Sequence, residues 1–124
     1  MRLHHVQVAI PAGGEALGRR FYVEGLGLTE VDKPEPLRER GGLWVRSGDG
    51  AEIHLGVEEP FRPARKAHPA LLLDDIAALD AAAGRLVELG FEVDHTERDT
   101  FPGHVRCHTF DGHGNRVELL APPE

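Results

Sequence analysis

The sequence predicts an α+β fold of two tandem βαβββ modules, and an internal repeat together with a matched order of periodicities predicts it. Leu26-Gly27-Leu28-Thr29-Glu30-Val31 returns as Leu89-Gly90-Phe91-Glu92-Val93, with Gly90 lying 63 residues after Gly27. Gly50-Ala51-Glu52-Ile53-His54-Leu55 returns as Gly114-Asn115-Arg116-Val117-Glu118-Leu119, displaced by 64 residues. A repeat of this length marks one supersecondary unit used twice. The chain has 124 residues, which fits a single domain. Modules of about 60 residues are too small to be comfortably stable alone, so the two halves must share a core or a groove.

The elements follow in chain order. Alternation over about Leu3 to Ile10 predicts a strand. A helix is expected over about Glu15 to Val23, where Leu17 and Phe21 form an i, i+4 apolar pair, although Gly18 costs about 1 kcal/mol relative to alanine inside a helix. Strands are expected near Leu28–Val31, Leu43–Ser47 and Ala51–Val57. Between the first two of these, Asp32 to Gly42 carries two prolines and alternating charges and reads as a loop. The first module therefore spans about residues 1–58, a Pro-rich charged linker about 59–66, and the second module about 67–124. The second module opens with a strand over Ala67–Leu73 and a helix over Asp75–Leu89. Asp74 or Asp75 caps that helix, Ile76, Leu79, Ala83 and Leu86 line one face, and Gly90 terminates it. Strands near Phe91–His95, His104–Phe110 and Asn115–Ala121 complete the order.

Alternation also sorts the strand faces. Val6, Val8 and Ile10 pack toward a helix and leave His5 on the other face; Ile53, Leu55 and Val57 likewise leave Glu52 and His54. Leu71 and Leu73 oppose the face of His68, and Val117, Leu119 and Ala121 oppose that of Glu118. His5 and His68 are 63 apart, and His54 and Glu118 are 64 apart, which is the spacing of the repeat itself. Four residues able to bind a metal thus occupy equivalent faces of the first and last strands of both modules. Three imidazoles and one carboxylate suit one divalent ion, whether Zn, Fe, Mn, Ni or Co. Trp44 and Arg46 alternate with Leu43 and Val45, and His104, Arg106 and His108 alternate with Val105 and Cys107. These five are expected to line a substrate groove. Glu52, two residues from His54 and about 7 Å away by strand rise, is placed either as a general base or as a carboxylate on the rim.

Composition narrows the partners. The 14 Lys and Arg against 21 Asp and Glu give a net charge of −7 with the signs interspersed, so no basic stripe exists to follow a nucleic acid. No apolar run is long enough for a membrane helix, no apolar signal core follows Met1, and the single Cys107 fits a reducing compartment; a cytoplasmic location is expected. Eight histidines place the chemistry with imidazole.

Three segments resemble the vicinal oxygen chelate superfamily, which holds glyoxalases, bleomycin-resistance proteins and extradiol dioxygenases. They are Leu3-His4-His5-Val6-Gln7-Val8, Phe21-Tyr22-Val23-Glu24-Gly25-Leu26-Gly27-Leu28, and Asp111-Gly112-His113-Gly114-Asn115-Arg116-Val117-Glu118-Leu119. The resemblance covers nearly the whole chain and implies two βαβββ modules curling a sheet around a shared metal site, usually in a homodimer. In some members both modules of one chain form the site, and in others paired modules come from different chains. Its metal ligands fall on His5, His54, His68 and Glu118. His54 departs from glyoxalase I-like members, which have a proton-transferring glutamate there, and this speaks against a direct glyoxalase assignment.

The expected function is that of a divalent-metal enzyme acting on a small substrate that chelates the ion through oxygen, with isomerase, lyase or transferase chemistry and with Glu52, His54 and Glu118 as catalytic residues. Four ligands on a six-coordinate ion leave two open positions, which suits a bidentate substrate. If His54 is not a ligand, three positions open and extradiol dioxygenase chemistry becomes possible, with His54 as acid or base. The competing class is a binder of the bleomycin-resistance type, which sequesters a small molecule in the groove without metal.

Overall fold

The computed structural model describes all 124 residues. Strand β1 (Val6–Ile10) leads into helix α1 (Glu15–Arg19), which continues as a π-helical turn over Arg20–Gly25. Strand β2 (Thr29–Val31), a single-turn helix α2 (Glu35–Arg38), and strands β3 (Leu43–Arg46) and β4 (Glu52–Val57) close the first module. The second runs β5 (Ala70–Leu72), α3 (Ile76–Glu88), β6 (Val93–Asp94), β7 (Val105–Phe110) and β8 (Arg116–Ala121). The strand orders are β1-β4-β3-β2 and β5-β8-β7-β6, the same plan twice. In each sheet the first strand lies parallel to the last, with a helical crossover between them, and the inner hairpin is antiparallel. The expected α+β architecture of two tandem modules is what the chain adopts.

One apolar core of 18 buried residues draws on both modules. It contains Val8, Ile10, Leu43, Val45, Ile53 and Leu55 from the first sheet and Cys107, Val117, Leu119 and Ala121 from the second, with Phe21, Tyr22, Leu79, Ala82, Ala83 and Leu86 from the helices between. Gly18 is there for packing: a Cβ at that position would stand 2.7 Å from Leu55 Cδ1, so the helix pays in propensity for close approach to the sheet. The α3 boundaries have the mechanisms expected of them. Asp75 Oδ1 accepts the Ala78 N–H at 2.7 Å, and Gly90 follows the helix with φ of 92°.

Several limits differ from the sequence expectation. β1 begins at Val6 rather than near Leu3 because its partner β4 begins at Glu52, after the turn following Arg46; the ladder runs out there. β5 begins at Ala70 because Pro69 has no N–H to contribute. His5 therefore sits immediately ahead of β1, and His68 two residues ahead of β5. The first helix extends beyond Val23 through the π turn, where the Leu26 N–H reaches back five residues to the Phe21 carbonyl. The Asp32–Gly42 loop contains α2, since Pro34 and Pro36 stand where prolines start a helical turn. No helix is long and apolar enough to cross a membrane.

Candidate functional site

The polar faces of the two sheets each carry a cluster built on a pair from the predicted ligand set. In the second module, His68 and Glu118 meet. His68 Nδ1 lies 2.7 Å from the Lys66 carbonyl, which can only accept, so Nδ1 carries a proton and Nε2 is the nitrogen turned toward Glu118. Nε2 is 2.9 Å from Glu118 Oε1. With the ring neutral, both facing atoms are acceptors, and lone pairs at this distance require a proton or a metal cation between them. Glu118 is 4 % exposed, so its charge is met by side chains rather than by solvent. Burial alone would raise its pKa, but His68, Arg106 and His108 outweigh burial and hold it below the usual carboxylate range.

His108 completes a group of three with donor atoms within 4.8 Å of one another. Its Nε2 is already engaged: Arg116 Nη2 lies 2.9 Å away and can only donate, so Nε2 accepts that bond, while Glu118 Oε1 is farther at 3.5 Å. Burial, then the neighbouring Arg116, keeps the His108 ring neutral by pushing its pKa down. Arg106 reaches Glu118 Oε2 at 3.5 Å with Nη1 and uses Nε and Nη2 to hold the Glu97 carbonyl and Thr100 Oγ1. His104 leans edge-on against Phe101, ring centroids 4.9 Å apart, with its buried Nδ1 unpartnered.

In the first module the rings of His5, His54 and Trp44 form one stack. His54 is the middle layer, with centroid separations of 4.0 Å to His5 at 15° and 3.8 Å to Trp44 at 3°. His54 Nε2 is 2.8 Å from Glu52 Oε2, and Arg46 Nε donates to Glu52 Oε1 at 2.7 Å. Glu52 is thus a buried carboxylate between a cation and an imidazole, and those two bonds lower its pKa. The His54 pKa is pushed down chiefly by burial, with Glu52 acting against it. Near-parallel stacked rings hold their nitrogen lone pairs in separate parallel planes, whereas an ion about 2 Å from an imidazole nitrogen lies close to the ring plane. One ion can serve both His5 and His54 only after one ring turns.

The two pairs stand on different sheets, and His5 and His54 are not among the clustered donors of the second. His68 with Glu118 has the spacing of two donors on one ion; the first-module pair has the right residues in a stacked arrangement. Arg116 proves to be the partner of His108, a contact set by side-chain rotamers to which strand periodicity is blind.

The Asp111–Leu119 motif is a structural hub. Asp111 Oδ1 accepts the N–H groups of His113 and Asn115, its Oδ2 faces Tyr22 Oη at 3.4 Å, and buried Asn115 binds Ala9, Ala64 and Asp111. His113 bonds through Nε2 to the Gly14 carbonyl at 2.9 Å, which ties the modules together and keeps it away from the ligand set.

The model of the Glyoxalase/Bleomycin resistance protein/Dioxygenase superfamily matches residues 2–119. Among solved structures, a glyoxalase family protein from Bacillus anthracis is 40 % identical with a TM-score of 0.87, over 98 % of this chain and 95 % of that one. TnmS3, an antibiotic binding protein from Streptomyces sp. CB03234, is 28 % identical with a TM-score of 0.69, over 98 % of each chain. The genomically encoded fosfomycin resistance protein FosX from Listeria monocytogenes shares the fold at a TM-score of 0.71 and 14 % identity, over 98 % of this chain and 90 % of that one. No functionally curated protein matches the chain.

Proposed function

Because the chain belongs to the glyoxalase/bleomycin resistance protein/dioxygenase superfamily, we propose that it is a divalent-metal-dependent enzyme acting on a small substrate that chelates the ion through oxygen. The observation that carries this reading is His68, whose Nδ1 is fixed by the Lys66 carbonyl while its Nε2 faces a buried carboxylate oxygen at 2.9 Å. A metal-ligating histidine is oriented in just this way, its second nitrogen held by a backbone carbonyl. His5, His54, His68 and Glu118 are the ligands, and the ion is Zn, Fe, Mn, Ni or Co. When bound, it supplies Lewis acidity toward oxygen groups of the substrate.

The remaining residues orient and tune that set. His68 and Arg106 face Glu118 from two sides and keep it ionised, while Arg116 orients the adjacent His108 ring. The chain Arg46–Glu52–His54 fixes the His54 ring, and Glu52, with its lowered pKa, serves better as that anchor than as a general base. Trp44, His104 and Arg106 border the groove. The reaction class is isomerisation, lyase chemistry or group transfer.

The complete set forms between two copies of the chain. β1 and β5 are the outer strands of their sheets, they carry His5 and His68 at their starts, and the apolar Leu3 and Leu72 beside them are 79 % and 62 % exposed. Pairing the β1 edge of one copy with the β5 edge of another brings His5 and His54 toward His68 and Glu118 and covers those leucines. A second reading, sequestration of a small molecule without metal, draws support from the similarity to TnmS3 and from the closed ring stack of the first module.

Elemental analysis of chelated protein reloaded separately with each of the five metals, together with light scattering on the same samples, tests the proposal. A dimer with one tightly held ion per site, lost in a Glu118→Ala variant that still dimerises, is the expected result. A dimer that retains none of the five ions supports the sequestering reading.

A further inference from the structure

A cavity of about 290 Å³ opens on the polar face of the first sheet, between β3, β4 and the loop that carries α2. Trp44 and His54 contribute aromatic wall, Gln7 an amide, and Lys33 and Arg40 two cations; no carboxylate lines it. In a chain of net charge −7 that is a local reversal of sign. Lys33 Nζ donates to the Gly41 carbonyl, closing the loop on itself and fixing the ammonium at the cavity. Arg40 is exposed and has no ion-pair partner. The indole is held flat by His54 on one side, 3.8 Å away at 3°. Gly56 makes room for the amide, since any side chain there would fall on Gln7.

These features select a ligand by charge and shape. Two cations without a counter-charge attract an anion, and a guanidinium binds a carboxylate in a planar, two-pronged fashion. A rigid indole wall favours a flat π system over a puckered ring of equal size. A volume just below the usual range for ligand pockets admits a single-ring compound. We propose that this cavity is the specificity subsite of the adjoining metal site and accepts a planar, single-ring or conjugated carboxylate, anchored by Arg40 and Lys33 and stacked on Trp44. In its catalytic meaning the inference rests on the metal-enzyme reading, because His54 borders both sites. Binding itself needs no ion.

Trp44 is the sole tryptophan, so its fluorescence reports binding beside its indole, and the Arg40 variant assigns that binding to this cavity. Chelated full-length protein is titrated with benzoate, with neutral benzamide, and with cyclohexanecarboxylate. The expected result is saturable quenching by benzoate, about tenfold weaker binding of each of the other two, and about tenfold weaker benzoate binding in Arg40→Gln. Arg62→Gln, the same charge change on an exposed residue outside the cavity, should bind benzoate as the parent does. Equal affinity for benzoate and benzamide, an Arg40→Gln variant that binds like the parent, or no saturable quenching overturns the proposal. Since the protein is metal-free throughout, failure to retain metal in the reloading experiment leaves this test intact, and failure here leaves that one intact.

Discussion

Asn115→Ala tests the account of how the two modules are joined. The side chain is 1 % exposed and makes three bonds: Nδ2 donates to the Ala9 carbonyl at 2.8 Å and to Asp111 Oδ2 at 2.9 Å, and Oδ1 accepts the Ala64 N–H at 2.8 Å. Through it β1, the linker and the turn before β8 are held at one point. Truncation to alanine removes all three at about 1 kcal/mol each, and unpaired Ala9 and Asp111 oxygens left away from solvent add to the loss. The expected cost is about 3–4 kcal/mol, a large share of the roughly 5–15 kcal/mol that stabilises an ordinary domain. In a chain of this length it corresponds to roughly 12–15 °C in Tm. Equilibrium urea unfolding of chelated protein measures it without interference from bound ions. Asn115→Asp should be no milder, because it exchanges both donated bonds for a second carboxylate beside Asp111. A loss below about 1 kcal/mol for the alanine variant would mean that the modules are held chiefly by the shared apolar core and that the clamp is incidental.

Other outcomes follow from the same geometry. Burial lowers the pKa of both His54 and His108, so the unfolded chain takes up protons near the ordinary imidazole value of 6.5 while the folded chain resists until lower pH. Stability should therefore be full above pH 6.5 and decline below it by up to about 1.4 kcal/mol per pH unit per group, with Glu52 and Glu118 adding to the decline below about 4.5; a Tm unchanged between pH 8 and 5 contradicts this. Gly42→Ala and Gly27→Ala both put a Cβ on a residue of positive φ, 79° and 77°, but only at Gly42 does that Cβ fall on backbone, the Leu55 carbonyl. Thermal melts should show about 1 kcal/mol lost at Gly27 and at least twice that at Gly42. In metal reloading, His68→Ala should abolish tight retention, whereas His108→Ala, which removes an Arg116 acceptor, should weaken it by roughly tenfold; equal and complete loss in both would make His108 a ligand.

Alternation made the sheet faces legible because it is a property of the backbone: once β4 is a strand, Ile53 and Leu55 must face opposite to Glu52 and His54. The helix limits at Asp75 and Gly90 were legible for a similar reason, each being a local backbone requirement with a residue type to match. Contacts within a face were not. That Glu52 binds His54 and Arg46, and that Arg116 rather than Glu118 claims Nε2 of His108, depends on rotamers chosen among several neighbours of similar chemistry. The cations of the α2 loop were missed for another reason, since Lys33 and Arg40 lie in a segment with no periodicity, where two prolines and mixed charge announce a loop and nothing about which way it folds.

The repeat itself is read correctly only when equivalence is kept apart from contact. Spacings of 63 and 64 residues say that His5 corresponds to His68 and His54 to Glu118 in successive modules. Corresponding residues of two modules meet only if the modules are set edge to edge with those positions inward, and the sequence of one module cannot contain that information. Within this chain the helices and the shared core pack the modules through their apolar faces, and the β1 and β5 edges beside the two pairs stay unpaired. The interaction that would unite the four residues is therefore a property of those edges. A variant that blocks one edge, such as Leu72→Lys on β5, should leave the fold of each chain intact while removing both dimerisation and tight metal retention. Metal retained by a monomeric Leu72→Lys protein would place the whole ion on His68, Glu118 and their neighbours within one chain.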